Sequence, residues 1–175
     1  MTRALLIIDV QKGMFSHGEP HKGREVVEKL AGMLSQARAH GMPVFFVQHD
    51  GGEGSPLARD GEGFHFVDEL APRGDEDVTI KRQCSAFHGT DLINKLRAAN
   101  IDELIIGGMQ TEFCVDTAVR GAFERGLAVT LIEDGHTTFD TTALPATQII
   151  AHHNHTLASG HFAEVVEAAE LGFGF

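Results

Sequence analysis

Short apolar runs alternate with longer amphipathic stretches along the whole chain. This alternation is typical of repeated strand and helix units, which build a parallel sheet covered by helices. The pattern predicts an α/β fold with five or six strands and four helices. The predicted strands are residues 4–8, 44–47, 78–80, 104–106 and 129–132, with residues 162–166 as the sixth. The predicted helices are residues 24–40, 91–99, 112–125 and 146–159.

The chain has the length of a single ordinary domain, and we expect residues 1–175 to form one. Several boundaries carry turn or cap signals, since Gly41 follows the first helix, Pro43 opens the next strand and Thr90 can cap the second helix. Residues 50–76 are rich in Gly, Asp and Glu and form the longest irregular segment. Long loops in compact domains are usually functional or mobile, so this segment is predicted to be one or the other.

Charge and composition exclude several classes of partner. The formal net charge is −11 and no stretch is rich in Lys and Arg, so a nucleic acid would be repelled. No apolar run is long enough to span a bilayer, and the first one ends too early for a signal peptide. Two cysteines without an export signal predict a cytoplasmic protein whose thiols stay reduced.

One of these thiols, Cys114, follows a predicted strand that breaks at two glycines and leads into a helix. Thr111 is a good N-cap residue, which would put Cys114 near the third helical position. Unpaired backbone N–H groups and the positive end of the helix dipole favour a thiolate there. We therefore expect Cys114 to be a nucleophile.

An acid and a base occupy equivalent places, because Asp9 and Lys81 each end a predicted strand. Parallel sheets gather the carboxyl ends of their strands into one crevice. Taken singly, Asp9 could instead cap the next turn, and Lys81 could be a solvated lysine. Together with Cys114 they predict nucleophilic catalysis, in which a carboxylate accepts the thiol proton and a lysine holds the anion.

Three segments carry a resemblance to a known family. They are LIIDVQKGMF at residues 6–15, IKRQCSAF at residues 80–87 and GGMQTEFCV at residues 107–115. In this order and spacing the chain, from residue 5 to about residue 166, resembles the isochorismatase-like cysteine hydrolases, the superfamily that includes nicotinamidases. The resemblance implies a three-layer α/β/α domain with a six-stranded, mainly parallel sheet, and a catalytic triad of Asp9, Lys81 and Cys114.

The resemblance also implies a cis peptide between Met109 and Gln110, with the backbone N–H groups of Gln110 and Cys114 forming an oxyanion hole. The reaction implied is hydrolysis of a C–N bond in a small amide through a thioester. Two alternatives remain open: ether hydrolysis of the isochorismatase type, which does not need the cysteine, and a redox or ligand-binding role for Cys114 and Cys84. We otherwise interpret Cys84 as a small buried residue.

The metal motif of nicotinamidases, Asp-x-His with a further His, does not occur after the second predicted strand. His49, Asp50 and His65 could form a substitute set, but their order and spacing differ. The segment is more similar to the metal-free branch that includes streptothricin hydrolase. We therefore predict no metal and no cofactor. Three histidines on the last helix are interpreted as packed or exposed: His152, His153 and His155.

The remaining predictions concern the substrate and the assembly. The expected partner is a small-molecule substrate, without nucleic acid or membrane, and the resemblance implies a homodimer or homotetramer. Four side chains are predicted to line the substrate pocket: Gln11, Phe15, Phe87 and Phe113.

Overall fold

A computed structural model describes residues 1–172 of the chain. Six strands form one sheet in the order β3, β2, β1, β4, β5, β6, and every neighbouring pair is parallel. The strands are β1 (Arg3–Ile8), β2 (Val44–His49), β3 (Asp77–Lys81), β4 (Glu103–Met109), β5 (Ala128–Thr137) and β6 (Glu164–Val166). The helices are α1 (Gly23–Ala39), α2 (Leu92–Ala98), α3 (Asp116–Phe123) and α4 (Ala146–Ser159). The predicted single-domain α/β/α architecture is confirmed, and the sheet is wholly parallel rather than mainly so.

The two faces of the sheet bury alternate residues of each strand. Leu5 and Ile7 of β1 pack with α1, whereas Leu6 and Ile8 pack with α2, α3 and the end of α4. Because the central strands β1 and β4 are covered on both faces, they carry no charged residue after the first position of each strand. This explains why β1 and β4 read as continuous apolar runs in the sequence.

Several strand boundaries differ from prediction, and two of the differences have a clear physical cause. β5 continues past residue 132 to Thr137, since after an irregularity it pairs again with β4, His136 opposite Gly108. This extension consists of polar residues and a glycine, so a search for apolar runs does not detect it as strand. β6 begins at Glu164 rather than at residue 162, because Phe162 donates its N–H to Leu157 at the end of α4.

Residues 50–76 pack against the domain rather than forming a free loop. Two short 3-10 turns, Glu62–Phe64 and Asp68–Leu70, shape the segment, and Phe66 forms an antiparallel bridge with Gln11. Leu70 is fully buried on the α1 face.

The predicted N-cap role of Thr90 was wrong, since its hydroxyl donates to the carbonyl of Ala86 instead of capping α2.

None of the helices within residues 1–172 is both long enough and apolar enough to cross a membrane.

Candidate active site

Asp9 is the first residue after β1, the strand that lies between β2 and β4 in the sheet. Its backbone has a positive φ of 53°, a conformation that asparagine and aspartate tolerate better than most residues. Its N–H donates to the carbonyl of Val47, and the side chain is fully buried. Its carboxylate contacts Lys81, and no hydrogen bond to a turn N–H is found within residues 1–172. The side chain therefore does not act as a turn cap.

Lys81 reaches Asp9 from the edge strand β3. Since β2 lies between β3 and β1, the two backbones are about 10 Å apart, a span that only a long side chain can bridge. Lys81 Nζ lies 2.7 Å from Asp9 Oδ2 and 3.2 Å from Cys114 Sγ. It also lies 3.1 Å from His49 Nδ1 and 3.0 Å from the carbonyl oxygen of Gln83. The lysine is 2% exposed and is the centre of the cluster.

Cys114 lies in a single π-helical turn, Thr111–Val115, that joins β4 to α3. The predicted N-cap role of Thr111 was wrong, because its hydroxyl is paired with His136 Nδ1 at 2.8 Å, and Gln110 precedes the turn. Cys114 is consequently the fourth residue of a π turn rather than the third of an α-helix. Such turns are frequent at functional sites.

Burial dominates the electrostatics of the cluster. It raises the pKa of the Cys114 thiol, the Asp9 carboxylate raises it further, and the Lys81 ammonium only partly offsets the two. These effects oppose the expected preference of the helix start for a thiolate and favour the thiol form of Cys114. Burial likewise raises the pKa of Asp9. Burial opposes the charge of Lys81, but Asp9 and Cys114 outweigh it and raise the pKa of the ammonium.

The backbone before the thiol has the geometry that the resemblance implied. A non-proline cis peptide joins Met109 to Gln110. Gly108 has a φ of +138°, and a Cβ there would lie 2.1 Å from the carbonyl oxygen of Ile8. The second glycine of the pair is thus required by the close approach of β4 to β1.

The four predicted pocket residues lie in different surroundings. Gln11 is fully buried, its amide donates to the carbonyls of His49 and Phe64, and its oxygen accepts from the N–H of His49. The hydrogen bonds of the Gln11 side chain therefore join the backbone at the end of β2 to the backbone of the 50–76 segment. Phe87 is buried in the same apolar cluster as Cys114, while Phe113, next to the thiol in the chain, is 50% exposed.

Phe15 is partly buried and its ring lies beneath the guanidinium of Arg24, 4.9 Å from its centroid. This contact is a cation–π interaction. The pocket roles of all four residues, Gln11, Phe15, Phe87 and Phe113, stay predictions.

Histidines and acids do not gather into a metal site within residues 1–172, where no three His, Cys, Asp or Glu side chains lie close enough to hold an ion. The Nδ1 atom of His49 faces an ammonium, and Asp50 is paired with Arg82 at 3.0 Å. On α4, His153 Nδ1 is 2.8 Å from the carbonyl of Ile149, and two other histidines are exposed: His152 and His155. Cys84 is exposed, which corrects its interpretation as a buried residue.

Two histidines near the site have roles that the sequence did not predict: His49 was considered only as a metal ligand, and His136 was not considered. His49 contacts Lys81, and His136 holds Thr111 of the π turn while its Nε2 lies 2.8 Å from Asn154 Oδ1. Burial lowers the pKa of His136 to about 4, so the ring is neutral. A lone histidine in a strand carries no periodic signal, and only the tertiary contacts identify these two roles.

The wholly parallel sheet with buried polar side chains at its carboxyl edge defines an α/β protein with its site at the strand ends. Residues 3–170 match the Isochorismatase domain, and the chain belongs to the isochorismatase family, whose members are hydrolases. The chain is 35% identical to a streptothricin hydrolase of Streptomyces noursei over 82% of its own length and 52% of that protein. It therefore spans about half the length of that relative.

A second relative and a solved structure agree with this assignment. The ureidoacrylate amidohydrolase RutB of Stutzerimonas stutzeri is 29% identical, over 69% of this chain and 63% of that protein. A putative isochorismatase hydrolase from Oleispira antarctica superimposes with a TM-score of 0.91 at 30% identity, covering 97% of this chain and 95% of that one.

Proposed function

We propose that the protein is a cysteine-dependent hydrolase of a C–N bond in a small amide. The observation that carries the proposal is the Lys81 ammonium, which touches both the Asp9 carboxylate and the Cys114 sulfur inside a buried cluster. A carboxylate and a thiol on one cation can exchange a proton while the net charge stays constant. The relative named as an amidohydrolase supports the choice of bond.

The chemistry begins with the thiol. Asp9 takes the proton of Cys114, and the sulfur attacks the carbonyl carbon of the amide. The backbone N–H groups of Gln110 and Cys114 bind the resulting oxyanion. Protonated Asp9 then gives its proton to the leaving nitrogen, so the C–N bond breaks and a thioester remains.

Water completes the cycle. Asp9, again a carboxylate, removes a proton from water, which attacks the thioester carbonyl carbon. The C–S bond then breaks, the acid is released, and protonated Asp9 returns its proton to the Cys114 sulfur. Lys81 stays charged throughout and stabilises whichever of its two partners carries the negative charge. The raised pKa of Asp9 makes this carboxylate a stronger base than an exposed one. Phe15, Phe87 and Phe113 are proposed to contact the substrate.

The test is a screen for ammonia or amine release over small amides, followed by variants on the best substrate. Cys114→Ala should lower kcat at least about a thousand-fold, since no nucleophile remains. The matched control is Cys84→Ala, which removes the exposed thiol and should leave kcat unchanged. Intact-mass measurement after rapid quenching should find an acyl group on Cys114 in the wild-type protein.

The variants also separate the other reactions. Full turnover by Cys114→Ala together with loss in Asp9→Asn would refute the thioester route in favour of cysteine-independent hydrolysis. A Cys84–Cys114 disulfide that forms with peroxide and controls activity would instead support a redox role.

A further inference from the structure

His49 is the last residue of β2, and Lys81 is the last residue of the adjacent strand β3. The two are direct partners in the parallel register, so their side chains lie on the same face of the sheet. This is the face that carries Cys114, because Val47 of β2 packs in the same cluster as the thiol. His49 Nδ1 lies 3.1 Å from Lys81 Nζ, a hydrogen-bonding distance.

The chemistry of the two groups fixes their roles in this contact. An ammonium donates and cannot accept, so Nδ1 must present its lone pair. The ring is consequently neutral, with its only proton on Nε2. Burial and the Lys81 charge both lower the pKa of His49, which agrees with this state.

Lys81 has more acceptors than hydrogens. Three N–H bonds face four acceptor atoms, which are Asp9 Oδ2, Cys114 Sγ, His49 Nδ1 and the carbonyl oxygen of Gln83. The carboxylate and the thiol exchange a proton in the proposed reaction, while the imidazole and the carbonyl stay neutral. The neutral pair can therefore fix the ammonium without competing for the charge that forms during catalysis.

We propose that His49 is a positioning residue for the hydrolysis, whose Nδ1 lone pair holds the Lys81 ammonium between Asp9 and Cys114. The inference rests on the proposed function for its kinetic consequence, but the hydrogen bond itself does not. Substrate contact by His49 is not required. The imidazole acts through the lysine, and its loss lets the ammonium turn away from the sulfur.

The kinetic experiment compares two substitutions at the same position on the best amide substrate. His49→Asn keeps an acceptor oxygen near the place of Nδ1, whereas His49→Leu has a similar size and no acceptor. We expect His49→Leu to lower kcat tenfold or more with KM within twofold, and His49→Asn to keep kcat within threefold. His161→Asn, which changes an exposed histidine, is the matched control and should behave as the wild type.

Two kinetic results would overturn the proposal. Equal losses in His49→Asn and His49→Leu would show that size or burial matters and the acceptor does not. Wild-type kcat in a folded His49→Leu protein would show that Lys81 needs no such partner.

A second measurement needs neither a substrate nor a destabilised variant. In the 15N-labelled wild-type protein, long-range imidazole spectra at neutral pH report the tautomer of each ring, and His49→Asn identifies the His49 signals. We expect a proton on Nε2 and a bare Nδ1. A proton on Nδ1 would overturn the proposal, whereas the expected tautomer without turnover of any amide would count only against the proposed function.

Discussion

At the scale of single residues, the site is a buried ion pair with few other partners. Both charged side chains have no exposure, and besides Lys81 the Asp9 carboxylate interacts with the Cys114 thiol. Removing two charges from water costs several kcal/mol per ion, and the mutual attraction only partly returns it. The two charges differ in their partners, because Lys81 has several other acceptors, whereas Lys81 is the cation that contacts Asp9.

Loss of the lysine should therefore destabilise the whole protein. Lys81→Met leaves the Asp9 carboxylate buried without its cation, and we expect the free energy of unfolding at pH 7 to fall by about 3–5 kcal/mol. The control is Lys95→Met, which breaks partly exposed pairs with Asp77 and Asp91 and should cost about 1 kcal/mol or less. Urea denaturation followed by circular dichroism measures both.

The double variant Asp9→Asn/Lys81→Met should recover part of the loss, since no charge is then buried. Equal stability of the two lysine variants would contradict the explanation by desolvation.

At the scale of elements, the π turn depends on a strand and a helix that are distant in sequence. The neutral ring of His136 in β5 donates its Nε2–H to Asn154 Oδ1 of α4 and accepts at Nδ1 from the hydroxyl of Thr111 in the turn. Asn154 in turn donates to the carbonyl of Glu133. This chain of hydrogen bonds fixes the segment that carries Cys114, and burial of the ring disfavours its charged form.

The burial of the His136 ring should make the free energy of unfolding depend on pH. The pKa of His136 is lowered to about 4 in the folded protein, against a usual value of 6.5. Between pH 4 and pH 6.5 the imidazole is protonated in the unfolded chain but not in the folded protein. The stability that is present above pH 6.5 is therefore lost as the pH falls towards 4. The loss attributable to this ring is about 3 kcal/mol.

His136→Gln can still bond to Thr111 and Asn154 but has no proton to bind in this range. Its free energy of unfolding, measured by urea titration at several pH values, should fall less than that of the wild type across the window. Parallel curves for the two proteins would show that His136 does not carry the effect. The control is His17→Gln, which changes an exposed histidine and should leave the wild-type curve unchanged.

At the scale of the whole molecule, the crevice depends on how closely β1 and β4 approach at their carboxyl ends. Gly108 faces the backbone of Ile8, the residue directly before Asp9. A side chain at this place would separate the strand that carries the acid from the strand that leads to the thiol. Stability and site geometry are therefore coupled at one glycine.

Gly108→Ala should lower the free energy of unfolding by more than about 3 kcal/mol, because the new methyl meets backbone and the φ of +138° strains any side chain. Its matched control is Gly32→Ala on the exposed face of α1, where a Cβ meets nothing within 4 Å. That change should stabilise the protein by up to about 1 kcal/mol, since alanine is the better helix former. Thermal and urea unfolding distinguish the two, and a neutral Gly108→Ala would contradict the close approach.

The sequence predicted more of the fold than of the candidate site. The apolar runs of β1 and β4 predicted the central strands because both of their faces are buried. Asp9, Lys81 and Cys114 were found because a parallel sheet brings strand ends together. His136 and the π turn were not, since the bond that diverts Thr111 from capping joins residues 25 positions apart.

The central position of β1 in the sheet has a consequence for the folding rate. Its partner β4 is far along the chain, since Arg3 pairs with Glu103, and the intervening hundred residues must close as a loop before that ladder forms. Such non-local pairing gives high contact order and slow folding. During synthesis Asp9 and Lys81 emerge well before Cys114, so a nascent chain that ends before β4 exposes one edge of β1. The reactive centre consequently cannot assemble before β4 and the turn that follows it have been synthesised.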